Sequence, residues 1–230
     1  MAWLTFAALF SAFLASHYLP GATGLRDRLV ATLGRGAYFS AYGILSLLLL
    51  AGLIRAAGAA PHVELWPALP WQRWVPNLVM PVVFVLAACG TGRATPFTLG
   101  GRRTARFDPA DPGLAAVTRH PLLIGLALWS GAHLVANGDL AHALLFGGFL
   151  AMALAAIRAA DRRAARTLIG PARSAFFGAT ALLSLAPLAD PAWLRRNLPR
   201  LALRAGIGLL LWLAALHLHA PLIGLSPLPL

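Results

Sequence analysis

The sequence predicts an all-α protein, a polytopic helical membrane bundle of about six transmembrane helices that forms one domain over residues 1–230. Three observations predict it. Hydrophobic residues make up 59% of the chain and charged residues only 11%, whereas a soluble domain carries about 25% charged residues. The apolar residues gather into runs that approach the roughly 20 needed to cross a bilayer core, and mean hydropathy is +0.74. The positive residues sit chiefly in the connections between those runs, as in membrane proteins oriented by basic cytoplasmic loops. Within hydrocarbon every backbone amide needs an internal partner, so such spans are helices.

The first span is expected at residues 3–20. The N-terminus is apolar from residue 2, lacks the basic leader of a secretory signal and is followed by Arg26, Arg28 and Arg35, so it reads as a retained helix. Further spans are expected at 38–57, 74–92, 121–137, 139–157 and 201–219. The piece at 176–189 is too short to span and contains Pro187, which predicts an interfacial or re-entrant segment. The stretch 95–114, with its Pro, Gly and Asp residues, reads as a loop leading into the fourth span, with Asp108 or Asp111 able to cap a helix start. Glycines within the spans, such as Gly43, Gly125, Gly131, Gly147 and Gly148, permit close helix contact.

Arginine supplies all of the basic residues. Three lie between the first two spans. Five lie between the third and fourth: Arg93, Arg102, Arg103, Arg106 and Arg119. Nine follow the fifth, from Arg158 to Arg204, whereas the second connection holds only Arg55 and Arg73 and the fourth holds none. This alternation predicts a bacterial inner-membrane protein with both termini on the non-cytoplasmic side. The same distribution argues against nucleic acid as the partner of the +12 net charge; the arginines are expected to meet anionic headgroups of the lipid bilayer. A lone Cys89 inside an apolar run excludes an internal disulfide.

Chemistry is expected at histidines, because an ionisable side chain inside a span is costly and neutral imidazole ligates metals and haem iron. His17 and His133 are the two read as intramembrane. His120 opens span four at the inner surface, and His62, His142, His217 and His219 lie toward the outer face. Pro121, Gly125, Trp129, His133 and Asn137 recur every four residues and share one helix face. That face suits either a flat cofactor, with Gly125 making room and Trp129 packing on it, or a tight helix seam. For His133 the alternative to ligation is a hydrogen bond to a carbonyl of another helix. Ser130, His133 and Asp139 can be assembled on paper as a hydrolytic triad, with nothing to indicate an exposed nucleophile.

Ser16-His17, Leu25-Arg26, Gly34 and Tyr38, followed by Thr118-Arg119-His120-Pro121, Gly125, Trp129, His133 and Asn137-Gly138, resemble the NnrU family. That family is associated with bacterial denitrification and includes the zeta-carotene isomerases. The resemblance covers most of the chain and implies a membrane haem b with His17 and His133 as axial ligands. Gly125, Trp129, Arg119 and His120 of the span-four motif join them as cofactor-binding candidates. The isomerase branch has a cysteine where this chain has Ser130, so a thiolate exchange at that position is closed to it. A pairing of His133 with an outer histidine, His62 or His217, stays open. A remoter resemblance links the Arg119-His120-Pro121 stretch, Asp161 and Ile169-Gly170 to isoprenylcysteine and phospholipid methyltransferases, without their acidic pair and tyrosines. Three functions follow as expectations. The first is a haem-b protein supporting nitrogen-oxide respiration, with a redox partner or a small hydrophobic substrate. The second is a membrane enzyme on a lipid-like substrate, either a carotenoid-type isomerase or an S-adenosylmethionine-dependent methyltransferase. The third is a cofactor-free accessory subunit.

Overall fold

The computed structural model describes residues 1–93, 95–101 and 107–228, so Arg102, Arg103 and Arg106 lie outside the described residues. It divides into two compact units, Met1–Pro67 with Gly138–Leu145, and Ala68–Asn137 with Phe146–Leu230. Among the described residues there is no strand beyond an isolated bridge between Glu64 and Asp139.

The first unit holds α1 (Ala2–Ala22), α2 (Leu25–Leu33) and α3 (Arg35–Ala59). Phe6 and Phe13 of α1 and Tyr38, Leu53, Ala56 and Ala57 of α3 are buried, while Ile44, Leu47 and Leu48 face outward. An apolar exterior around an aromatic and small-residue seam is what lipid, rather than water, demands. The loop after α3 pairs with residues 138–140: the amides of Leu65 and Trp66 donate to the Gly138 carbonyl, and that of Leu140 donates to Val63. Asp139 accepts from the amides of Ala141 and His142, capping α6 (Leu140–Thr167).

The second unit holds α4 (Trp74–Gly90), α5 (Pro121–Ala136), the part of α6 from Phe146 onward, α7 (Pro171–Ala179) and α8 (Pro191–Ile223). α4 packs against both α5 and α8. The second of these contacts needs Gly208, since a Cβ there would lie 2.7 Å from the Phe84 carbonyl oxygen and 2.9 Å from Val85 Cα. At the end of α4, Arg204 donates to the carbonyls of Thr91 (2.6 Å) and Ala88 (3.3 Å), groups a helix terminus leaves without intrahelical partners. On α6, Phe146, Phe149, Ala153, Ile157, Ala160 and Ala164 are buried at three- and four-residue spacing, one helical face.

Among the described residues, five helices are long and apolar enough to cross a membrane, and α5 is a shorter apolar helix. At 16 residues α5 is about 24 Å long, less than the roughly 30 Å hydrocarbon core. Roughly six spans therefore stand. α6 and α8 run beyond the apolar stretches read as spans, because their arginine-bearing turns remain helical. Neither Asp108 nor Asp111 caps a helix: Asp108 accepts from Ala110 within a turn, Asp111 pairs with Arg200, and α5 starts at His120 without a side-chain cap. The 176–189 piece is the end of α7, an irregular stretch and a single 3-10 turn at Ala186–Ala189. That irregular backbone is satisfied by protein, with Arg119 donating to Ala181, Ala181 to Ala115 and Ser184 to Val117.

Candidate functional site

His133 lies on the last turn of α5, where its Nδ1–H donates to the Trp129 carbonyl at 2.9 Å. The carbonyl belongs to its own helix, not to a neighbouring one as the sequence suggested. This bond fixes the neutral tautomer with the lone pair on Nε2, the preparation that metal-ligating histidines receive from a carbonyl or carboxylate. The ring lies against Phe146 (5.1 Å) and Trp129 (5.6 Å), and Trp129 stacks on Phe149 at 5.7 Å. Trp129 thus packs against the imidazole and against Phe149.

His133 also lines a cavity of about 220 Å³ within the second unit, together with Met80 and Phe84 of α4 and Trp212 and His219 of α8. His219 donates from Nδ1 to the Leu225 carbonyl at 2.8 Å. Of the outer histidines, it is thus His219 that shares a cavity with His133. His217 is exposed and bonded to Leu213, and His62 is exposed. Their spacing of two along α8 puts His217 and His219 on different faces, a distinction the sequence contained but offered no reason to resolve.

In the first unit, His17 is prepared as His133 is: its Nδ1–H donates to the Phe13 carbonyl at 2.8 Å. The imidazole stacks on Phe13 (4.3 Å) and meets the edge of Tyr42 (5.6 Å). Two histidines singled out from sequence therefore have the same local chemistry, each tied to a carbonyl four residues back and walled by aromatic rings.

Gly125 sits in a helix seam. A Cβ there would be 3.6 Å from the Val83 carbonyl oxygen and 3.8 Å from Val83 Cγ1, ordinary contact distances across α4 and α5. Ser130 is fully buried and donates to Leu126, and Asp139 is engaged by His142, so the paper triad finds other partners for its members.

Arg119 and His120 converge on Asp161, which the remoter methyltransferase resemblance set in one pattern with them without assigning it a contact. Arg119 donates from Nε to Oδ1 and from Nη2 to Oδ2, both at 2.7 Å, and His120 donates from Nε2 to Oδ1 at 2.8 Å. The Thr98 hydroxyl donates to His120 Nδ1 at 3.0 Å, and Phe177 lies under the Arg119 guanidinium at 5.3 Å. Burial holds the His120 imidazole below its ordinary pKa, with the Asp161 carboxylate pulling the other way. The arrangement is self-satisfied and joins α5, α6 and α7 at the arginine-rich end. The signal available in the sequence was a lone acid among Arg158, Arg162 and Arg163 on α6. Among the described residues, no group of three or more His, Cys, Asp or Glu side chains is placed to hold a metal ion.

The family described as NnrU protein matches residues 5–227. No curated protein and no solved structure matches the chain.

Proposed function

The chain belongs to the NnrU family, and from that premise we propose that it binds haem b and supports nitrogen-oxide metabolism from the bacterial inner membrane. In this reading both termini lie on the non-cytoplasmic side, and His17 and His133 would hold the haem iron. The observation that carries the reading is their shared preparation: each Nδ1–H is held by a backbone carbonyl, leaving Nε2 as the donor that haem iron requires. The donor chemistry of the chain fits the group.

Haem, when bound, would supply one-electron chemistry toward a redox partner or a small hydrophobic substrate. The chain's own residues do the rest. The carbonyls of Phe13 and Trp129 fix tautomer and ring orientation. The rings of Phe13, Tyr42, Trp129 and Phe146 exclude water from the imidazoles. Gly125 lets α5 approach α4, and Arg119 and His120 anchor the start of α5 through Asp161.

The test is an absorption spectrum of the detergent-solubilised protein, oxidised and dithionite-reduced, after expression with haem supplied. A Soret band that is lost in His133→Ala and His17→Ala supports the reading. Absence of the band in the wild type refutes it, and full retention in either variant moves that ligand elsewhere.

A further inference from the structure

The 220 Å³ cavity of the second unit is polar at one end and aromatic at the other, with walls from the start of α4, the end of α5 and the end of α8. Asn77, Met80 and Phe84 line it from α4, and Trp212, Leu216 and His219 from α8, spacings that keep each set on one helix face. Seven positions, about 10 Å along the axis, separate Asn77 from Phe84 and His219 from Trp212, and on both helices the aromatic residue lies deeper. We propose that this cavity binds the head group of an isoprenoid quinol, with its hydroxyls at the level of Asn77, Asn137 and His219 and its ring toward Phe84 and Trp212. The inference deepens the haem reading by naming the class of its small hydrophobic partner, and it rests on that reading for the use made of the quinol. His133 is a wall of the cavity, and its Nε2 is left to the iron.

The polar atoms left over at the outer end select a hydroxyl. Asn77 gives both amide hydrogens to carbonyls, Arg73 at 2.8 Å and Pro227 at 2.7 Å, and keeps only the lone pairs of Oδ1. Asn137 donates to the His133 carbonyl at 2.8 Å, and His219 donates from Nδ1 to Leu225 at 2.8 Å, which leaves its Nε2 an acceptor. The donors of the same end are the Ser226 hydroxyl and the Arg73 guanidinium at the exposed rim. A hydroxyl carries one donor and two lone pairs, and so serves both kinds of neighbour. A carboxylate or phosphate would suit Arg73 and Ser226 but meet the lone pairs of Asn77 and His219. An ammonium would meet the charge of Arg73, and among the described residues no Asp or Glu lines the cavity to receive it. Deeper in, Met80, Phe84 and Trp212 offer the thioether and ring contacts that an aromatic head group takes. The volume, under the roughly 300–1,000 Å³ of pockets for drug-sized ligands, suits one substituted ring.

The chain also fixes these acceptors in place. Gly224 takes φ +87°, a left-handed cap that ends α8 and turns the following residues back along the cavity. Leu225 then accepts from His219 and Pro227 accepts from Asn77, so the segment 225–227 ties down both side chains. Oxidation of a quinol to its quinone removes two electrons and both hydroxyl protons, after which the head group has acceptors only. Brought to a lining whose uncharged side chains chiefly accept, the quinone loses the bonds that the quinol makes. The reduced form is therefore the one the cavity retains.

The experiment titrates decylubiquinol and, separately, decylubiquinone into the purified chain in nanodiscs under argon, followed by calorimetry. One quinol per chain is expected, bound at least about tenfold more tightly than the quinone, which is what one or two hydrogen bonds supply. His219→Phe keeps a ring without the lone pair and should lower quinol affinity by about tenfold while leaving the quinone's little changed. Trp212→Ala should weaken both forms. His217→Phe, on the exposed face, should bind as the wild type does, with thermal unfolding confirming that every variant is folded. A folded wild type that binds no quinol, or binds both forms equally, overturns the assignment; so does wild-type affinity in both His219→Phe and Trp212→Ala. Displacement of the quinol by an equal concentration of geranylgeraniol or of dodecanoate overturns it as well, the first marking an isoprenoid-alcohol site and the second an anion site on Arg73. The two readings fail separately. A missing Soret band leaves the quinol titration standing, and a haem protein that takes no quinol refutes only the quinol site.

Discussion

Arg119 and Asp161 meet through two parallel hydrogen bonds of 2.7 Å, across 42 positions of sequence, with the side chains 12% and 26% exposed. This fork-on-fork geometry is the strong form of an ion pair. Because Asp161 also accepts from His120, a single carboxylate holds both residues of the motif that opens α5. It anchors the short helix that carries Trp129 and His133.

Removing the carboxylate should therefore cost more than a surface pair would. Asp161→Asn is expected to destabilise the protein by about 2 kcal/mol, under the roughly 3–5 kcal/mol of a fully buried pair because Asp161 retains some solvent. Arg119→Lys should also lower stability, since lysine cannot reproduce the fork. Thermal unfolding in detergent measures both. A wild-type Tm in Asp161→Asn would show that the pair contributes nothing.

Acid should weaken the same junction. His120 is buried and its folded-state pKa lies below 6.5, so on acidification the unfolded chain takes up the proton first. The contribution of the neutral imidazole is fully present above pH 6.5 and declines as the pH falls below it, levelling off under the folded pKa. Tm followed from pH 7.5 to pH 5 should fall more steeply in the wild type than in His120→Gln. Parallel curves would remove His120 as the cause.

Packing of α4 on α8 should be sensitive at one glycine and indifferent at another. Gly208→Ala places a methyl group 2.7 Å from the Phe84 carbonyl oxygen, and overpacking of this kind costs about 1–3 kcal/mol. Gly206→Ala, with nothing within 4 Å of its added Cβ, should leave Tm unchanged or raise it slightly. Equal Tm values for the two variants would contradict the close contact.

The end of α4 offers a fourth check. Arg204→Ala withdraws a cationic donor from the carbonyls of Thr91 and Ala88. Losing a charged hydrogen bond at a helix C-terminus is expected to cost about 1 kcal/mol. Hydrogen exchange at the last amides of α4 should accelerate more than exchange in α5; uniform protection would argue against the cap.

The sequence by itself determined the helices and their membrane setting. Apolar runs near 20 residues, with arginines between them, leave a chain little choice in hydrocarbon, because each helix satisfies its own backbone. The bond from Nδ1 of His17 and His133 to the carbonyl four residues back is local to one helix, although for His133 the sequence pointed to a carbonyl of another helix. What the tertiary structure alone decided is which side chains from different helices meet. Asp161 belongs to Arg119 and His120, and His219 rather than His217 or His62 shares the cavity of His133. Those pairings span 42 and 86 residues of sequence, and α-helical periodicity assigns a residue to a face without saying which helix that face will find. Rotation and contact between helices are set by packing of small residues, here Gly125 on Val83 and Gly208 on Phe84, and no local rule encodes them.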